Sequence, residues 1–181
     1  MQWTSRCGSV TAEVETHGGV RAVCYCCSCR DFALRTGAED ALDEAGGSDL
    51  YQVAPEAVRF LAGAEHLTWL RLSEKGPLRW YTTCCNTPVA NTLGSRAIPF
   101  VTLQTHRLSE PSQLPDVSVR VFRRDATARA PEGGKGATAL YLNFAKRALR
   151  SWVTGGWRHN PFFDQEGNPI APRDVSASSS G

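Results

Sequence analysis

The sequence predicts a mainly β protein of the α+β class, closed by one C-terminal helix, and three observations carry that prediction. Residues 9–15 alternate Val10, Ala12 and Val14 with Thr11, Glu13 and Glu15, the period of a half-buried strand. Residues 67–72 and 78–82 are rich in leucine and aromatics. They flank Ser73-Glu74-Lys75-Gly76-Pro77, which reads as a hairpin loop. Residues 138–153 set Tyr141, Phe144, Ala145, Ala148, Leu149 and Trp152 at helical spacing ahead of Gly155-Gly156.

The other elements follow in chain order. After the turn His17-Gly18-Gly19, residues 20–24 read as the returning strand of the first hairpin. Residues 30–36 suit a short helix stopped by Gly37, and residues 38–45 a second helical piece stopped by Gly46-Gly47. Short strands are expected at 50–53, 58–61 and 98–104. Residues 113–136, rich in Pro, Arg, Ala and Gly, read as a long loop with room for a strand at 117–122. The apolar stripe of the long helix is expected to face the core. The aromatic run Trp157-Arg158-His159-Asn160-Pro161-Phe162-Phe163-Asp164 reads as a packed C-terminal extension. Residues 1–110 form the expected β domain, residues 111–170 a loop plus helix packed on it, and residues 171–181 a disordered tail.

The chain has 181 residues, 41% apolar and 21% charged, enough for one domain with a real core. Its net charge of +2 gives no general pull toward nucleic acid or membrane. Two basic groups, Arg120, Arg123, Arg124, Arg129 and Lys146, Arg147, Arg150, Arg158, read as solvated surface. No apolar run approaches the ~18 residues of a membrane span, and the N-terminus lacks a signal-peptide pattern. A cytoplasmic location is therefore the default expectation. Neither a Gly-rich phosphate loop nor a Ser-His-Asp order is present, and the catalytic residues stay unknown.

Seven cysteines fall in three places: Cys7; Cys24, Cys26, Cys27 and Cys29; Cys84 and Cys85. The count is odd, and in a reducing compartment clustered cysteines are more often metal ligands than disulfide partners. The C-x-C-x-x-C array of Cys24, Cys26 and Cys29 can offer three thiolates from six residues, and zinc favours such soft donors in tetrahedral geometry. Cys27, between ligands, should face elsewhere. A fourth ligand would come from Cys84, Cys85 or Cys7. Inert packing and redox chemistry are the competing readings of the same residues. His17, His66, His106 and His159 are scattered, and none is expected to bind metal. Arg30, next to the cluster, is placed to offset thiolate charge, although a plain surface role is the simpler expectation.

Ser5-Arg6-Cys7-Gly8, Cys24-Tyr25-Cys26-Cys27-Ser28-Cys29 and Thr82-Thr83-Cys84-Cys85-Asn86-Thr87-Pro88 follow one another in the order and strand context of a known pattern. Over residues 3–103 the chain resembles the family of glutathione-dependent formaldehyde-activating enzymes and centromere-protein-V-like proteins, in a divergent branch. The resemblance implies a small antiparallel β assembly of the Mss4-like kind around a zinc ion. It implies a catalytic zinc on Cys24, Cys26 and Cys29, and a carbon–sulfur lyase activity on a thiol adduct. Glutathione or another small thiol would be the partner. A non-catalytic zinc-stabilised binding domain and a redox-responsive thiol protein are the alternatives. The family's structural zinc is matched only by Cys7 and Cys85, because Ser5 and Thr82 stand where cysteines are expected. Three outcomes follow: the second zinc is lost, Cys84 joins Cys7 or Cys85, or Cys84 or Cys85 closes the first site. The expected arrangement is a single zinc on Cys24, Cys26, Cys29 and one cysteine of the Cys84-Cys85 pair.

Overall fold

The structure, a computed structural model, describes residues 1–175. The chain is mainly β, with antiparallel sheets and a C-terminal helix. Three short strands, β1 (Gln2–Thr4), β2 (Thr11–Val14) and β5 (Val58–Ala62), form an antiparallel sheet in the order β1-β2-β5. Seven more form the larger sheet: β3 (Val20–Cys24), β4 (Ser48–Val53), β6 (Leu67–Leu70), β7 (Leu78–Thr82), β8 (Pro88–Thr92), β9 (Val101–Gln104) and β10 (Val119–Val121). Their order is β10-β3-β4-β9-β8-β7-β6, antiparallel except where β10 runs parallel to β3. Trp3, Ala12 and Val14 from the small sheet meet Tyr51, Val53, Trp80 and Leu103 from the large one in a single apolar core. Phe162 and Phe163 of the aromatic run are buried in the same core, and Phe162 lies 5.1 Å from the Trp80 ring centre.

The alternation seen in residues 9–15 gives β2, whose inward Ala12 and Val14 are buried while Glu13 stays out. Strand β8 has no such alternation, and its sequence, which starts with proline and carries Asn91 and Thr92, does not mark it as a strand. All five of its residues are buried. Its polar side chains are instead satisfied inside, with Trp80 Nε1 donating to Thr92 Oγ1 at 2.8 Å. Pro88 sits at the first strand position, where no ladder N–H is required.

Three expectations are corrected. Residues 38–45 form only a 3-10 turn, Glu39–Ala41, because the Asp43 carboxylate takes the backbone N–H groups of Ala45 and Gly47 and folds a tight turn there. The long helix α2 (Ala137–Thr154) forms as expected, but it is turned about its axis. Leu140, Phe144, Arg147, Ala148 and Ser151 point to the body: Phe144 meets Phe100 edge-on, Arg147 donates to Gln52 Oε1, and Ser151 donates to Glu56. Tyr141 and Leu149 of the apolar stripe face outward, and Trp152, half exposed, donates its Nε1 hydrogen to Ala97 O at 2.8 Å.

The third correction concerns the tail. Residues 171–174 lie along β6 rather than hanging free. Trp69 Nε1 donates to Ala171 O at 3.0 Å, Thr68 Oγ1 to Pro172 O at 3.0 Å, and Asp174 N to Trp69 O at 2.8 Å. Residues 176–181 of the expected tail lie outside the described residues. A chain ending after Ile170 is expected to lose about 2–3 kcal/mol in urea unfolding, at about 1 kcal/mol per hydrogen bond. An unchanged midpoint would show the strap to be idle.

Candidate metal centre

Helix α1 (Cys27–Arg35) begins at the end of β3, with Cys26 as its N-cap. The last residue of β3 is Cys24, so its sulfur and those of Cys26 and Cys29 converge where strand passes into helix. Their three Sγ atoms lie within 4.8 Å of one another, and Cys24 and Cys26 are 3.2 Å apart. Cys24 and Cys29 are buried, Cys26 is half-buried, and Cys27 is exposed and outside the group, as its position between the ligands predicts.

The fourth sulfur does not come from Cys84 or Cys85. Those two cysteines join Cys7 instead, in a second triad also within 4.8 Å, and this corrects the single four-cysteine site. Cys7 and Cys84 are 3.2 Å apart, and Cys84 and Cys85 3.7 Å. The reason is local. Each of the two loops carries a left-handed residue, Gly8 (φ 79°) and Asn86 (φ 53°), directly after its cysteine. In each, a buried hydroxyl at the loop's start holds the turn: Ser5 Oγ accepts the Val10 N–H at 3.0 Å, and Thr82 Oγ1 accepts the Thr87 N–H at 3.0 Å. Ser5 and Thr82 thus secure backbone, and Cys84 supplies the third sulfur.

In the first triad, the Cys26 thiol is pulled down to about 2. Hydrogen bonds from the Cys24 and Cys29 thiols do most of this, helped by the Cys29 N–H at the helix start and by the charge of Arg79. Cys24 is pushed up by the bond it donates to Cys26, by Cys29 and by burial. For Cys29, the bond from Cys24 acts downward, but the Cys26 thiolate and burial outweigh it and the thiol is raised. In the second triad burial acts to raise Cys85, yet the Thr82 and Thr87 hydroxyls pull it down to about 5. Cys84 is pushed up to about 11 by burial and its bond to Cys7, while Ser9 lowers Cys7. In each triad at least one sulfur is thus shifted toward the thiolate, and a bound metal would favour the thiolate form of all three.

One residue of the candidate site, Arg79, has no motif signature in the sequence. Arg79 of β7 is 3% exposed and stands over the first triad. Its Nη2 donates to Ser28 Oγ at 2.7 Å, its Nη1 to Asn91 Oδ1 at 3.0 Å, and both lie 3.9 Å from Cys29 Sγ. The ring of Phe32 supports the guanidinium from below, 5.4 Å away. The one signal available was a charged residue between Leu78 and Trp80 in a strand. Nothing in the sequence shows that this face of β7 is covered. Arg30, the cation that the sequence offered, instead clamps backbone: it donates to Tyr25 O at 3.0 Å and to Asp125 O at 2.7 Å.

Beside the first triad is a cavity of about 220 Å³. Cys24, Cys29 and Arg79 form one side, and Leu50, Phe100 and Leu140 lie among its apolar walls. His106, at the end of β9, is pushed down from its ordinary 6.5 to about 4, first by burial and then by Arg107. Its folded value lies below its unfolded one, so the stability it contributes is full above about pH 6.5 and is lost as pH falls toward about 4. His106→Gln should flatten the unfolding free energy across that window, and an unchanged pH profile would exclude His106 as its source.

The fold and its sites define a mainly β protein with two cysteine triads, each able to hold a metal ion. Thiolate donors suit zinc, copper(I) and iron–sulfur clusters. The chain belongs to a family of unknown function, DUF6151, whose model matches residues 1–171. No curated protein matches it. Among solved structures it is similar to a crystal structure of a Rhodobacter sphaeroides protein, at 23% identity and a TM-score of 0.42, covering 60% of this chain and 88% of that one. No helix among the described residues is long and apolar enough to cross a membrane.

Proposed function

We propose that this chain is a zinc protein whose Cys24, Cys26 and Cys29 hold the metal and leave one position for the sulfur of a small thiol or its adduct. The observation that supports this most directly is the first triad, which has three sulfurs and a cavity where a fourth ligand would be. Thiolates about 2.3 Å from one zinc keep their sulfurs within roughly 4 Å of each other, and the 3.2 Å between Cys24 and Cys26 fits that donor set. Closed structural sites have four protein ligands, whereas catalytic sites keep three and one open position. The reading agrees with the resemblance to formaldehyde-activating, Mss4-like carbon–sulfur lyases, for which glutathione would be the thiol.

Bound zinc would supply Lewis acidity at the open position. The chain's own residues do the rest. Arg79 offsets the surplus negative charge of three thiolates, and through Ser28 and Asn91 it ties α1 to β8. The helix start at Cys26 adds its N–H groups on the same side. Leu50, Phe100 and Leu140 give the cavity its apolar walls.

A second reading, a non-catalytic zinc-stabilised binding domain, is favoured by one feature: the outer face of α2 exposes Tyr141, Leu142, Leu149, Trp152 and Val153. Metal analysis of the purified protein is expected to give two zinc ions per chain, and one after Cys84→Ser. None would remove the premise. Small thiols should then change the visible spectrum of the cobalt-substituted first site. If no thiol does so while cobalt is bound, the binding-domain reading replaces the enzyme.

A further inference from the structure

We infer that the cavity beside Cys24 and Cys29 is built for a small apolar ligand body and excludes glutathione. Under the reading proposed above, on which this rests for the sulfur head alone, the substrate is an apolar aliphatic or aromatic thiol or its carbonyl adduct. Three observations carry the inference.

The first is size. At about 220 Å³ the cavity is smaller than the roughly 300–1,000 Å³ of pockets that take drug-sized ligands.

The second is charge. Glutathione brings two carboxylates and an ammonium group, and each needs a counter-charge or water once it is enclosed. Among the described lining residues Arg79 is the single ionic side chain apart from the cysteines; its two Nη atoms serve Ser28 Oγ and Asn91 Oδ1, and only its buried Nε lacks a partner, so at most one of the two carboxylates could be met. The other polar residues at that end are likewise engaged with the protein. Asn91 Nδ2 donates to Thr102 Oγ1 at 3.0 Å, and Gln52 Oε1 accepts from Arg147. No acidic side chain lines the cavity to receive an ammonium group. An apolar body loses nothing by entering and gains from leaving water.

The third is the exposed part of the lining. Phe122 lines the cavity from the end of β10, is 56% exposed, and has left-handed backbone at φ 56°. A bulky residue rarely adopts that conformation. Such strain recurs at ligand-gripping positions, where the surroundings hold it. Here it belongs to a solvent-exposed aromatic residue of the cavity lining. Leu140 of α2 lies on the wall, half-buried. Phe122 and Leu140 are thus among the more exposed parts of the lining, and Cys24 and Cys29 among its buried parts. Binding of a thiol needs no oxidant: its sulfur takes the open position and its proton goes to solvent.

The test uses the full chain carrying Cys84→Ser, so that cobalt loads the first triad alone, titrated with benzyl thiol and with glutathione and read in the sulfur-to-cobalt absorption band. Benzyl thiol is expected to bind at least tenfold more tightly. Leu140→Glu, which puts a carboxylate on the wall, should weaken benzyl thiol at least tenfold and leave cobalt stoichiometry unchanged. Equal or tighter binding of glutathione, or an indifferent Leu140→Glu, overturns the inference. If cobalt binds and neither thiol alters the band, the thiol-binding function fails. The cavity is then judged by fluorine NMR of 4-fluorobenzyl alcohol with the metal-free protein. Broadening that Leu140→Glu abolishes supports the apolar cavity, and no broadening in the unaltered protein overturns it.

Discussion

Replacing Cys29 by serine is expected to empty the first triad. Zinc bound by four ligands contributes roughly 10–16 kcal/mol to a small domain, so each thiolate accounts for about 3 kcal/mol, and losing one should weaken zinc by about 10²–10³-fold. Serine cannot compensate, because a hydroxyl is a hard, protonated donor at neutral pH. Cys29 is the informative position because it is buried, it lines the cavity, and it is the cysteine that Arg79 touches. The neighbouring Cys27, exposed and outside the triad, supplies the control: Cys27→Ser should leave the affinity unchanged. Competition with a chromophoric chelator measures both. Equal affinity in Cys29→Ser and the unaltered protein would remove Cys29 from the ligand set.

Arg79→Met is expected to destabilise the fold directly, through the polar groups it leaves unpaired. It keeps most of the side-chain volume and removes the buried cation, which leaves Ser28 Oγ and Asn91 Oδ1 without their donor. Breaking a buried charged network by removing one partner typically costs about 3–5 kcal/mol. Because Arg79 also faces the sulfurs, zinc affinity should fall with it, by about 10–100-fold as for other groups just behind a metal ligand. Arg79→Lys should recover only part of this, since one ammonium group cannot span Ser28 and Asn91 as the planar fork does. Urea unfolding and chelator competition read the two effects separately. If affinity holds while stability falls, Arg79 is a structural tie between β7, β8 and α1 and does not tune the metal site.

The elements legible in the sequence were those whose side-chain period reports a one-sided environment. β2 alternates because one face is covered, and β7 and β6 could be read as a hairpin from the turn between them. The period of α2 located the helix but not its rotation. Its outward face carries Tyr141 and Leu149, while Arg147 and Ser151 turn inward, because their polar ends reach Gln52 and Glu56. β8 was illegible for the opposite reason, since it is covered on both faces and its asparagine and threonine are satisfied by Arg79 and Trp80.

The same division runs through the metal centre. The convergence of Cys24, Cys26 and Cys29 was set by the sequence alone, because three sulfurs within six residues at a strand-to-helix step need no distant partner. Cys27 was excluded by the same local geometry. Only the tertiary structure decided where Cys84 and Cys85 go, because their partner Cys7 is almost eighty residues away along the chain, and two turns on separate sheets bring them together. It alone brought Arg79 over Cys29. A strand position shows its period in the sequence, but whether the facing layer is water or a cysteine site depends on how β7, β8 and α1 stack.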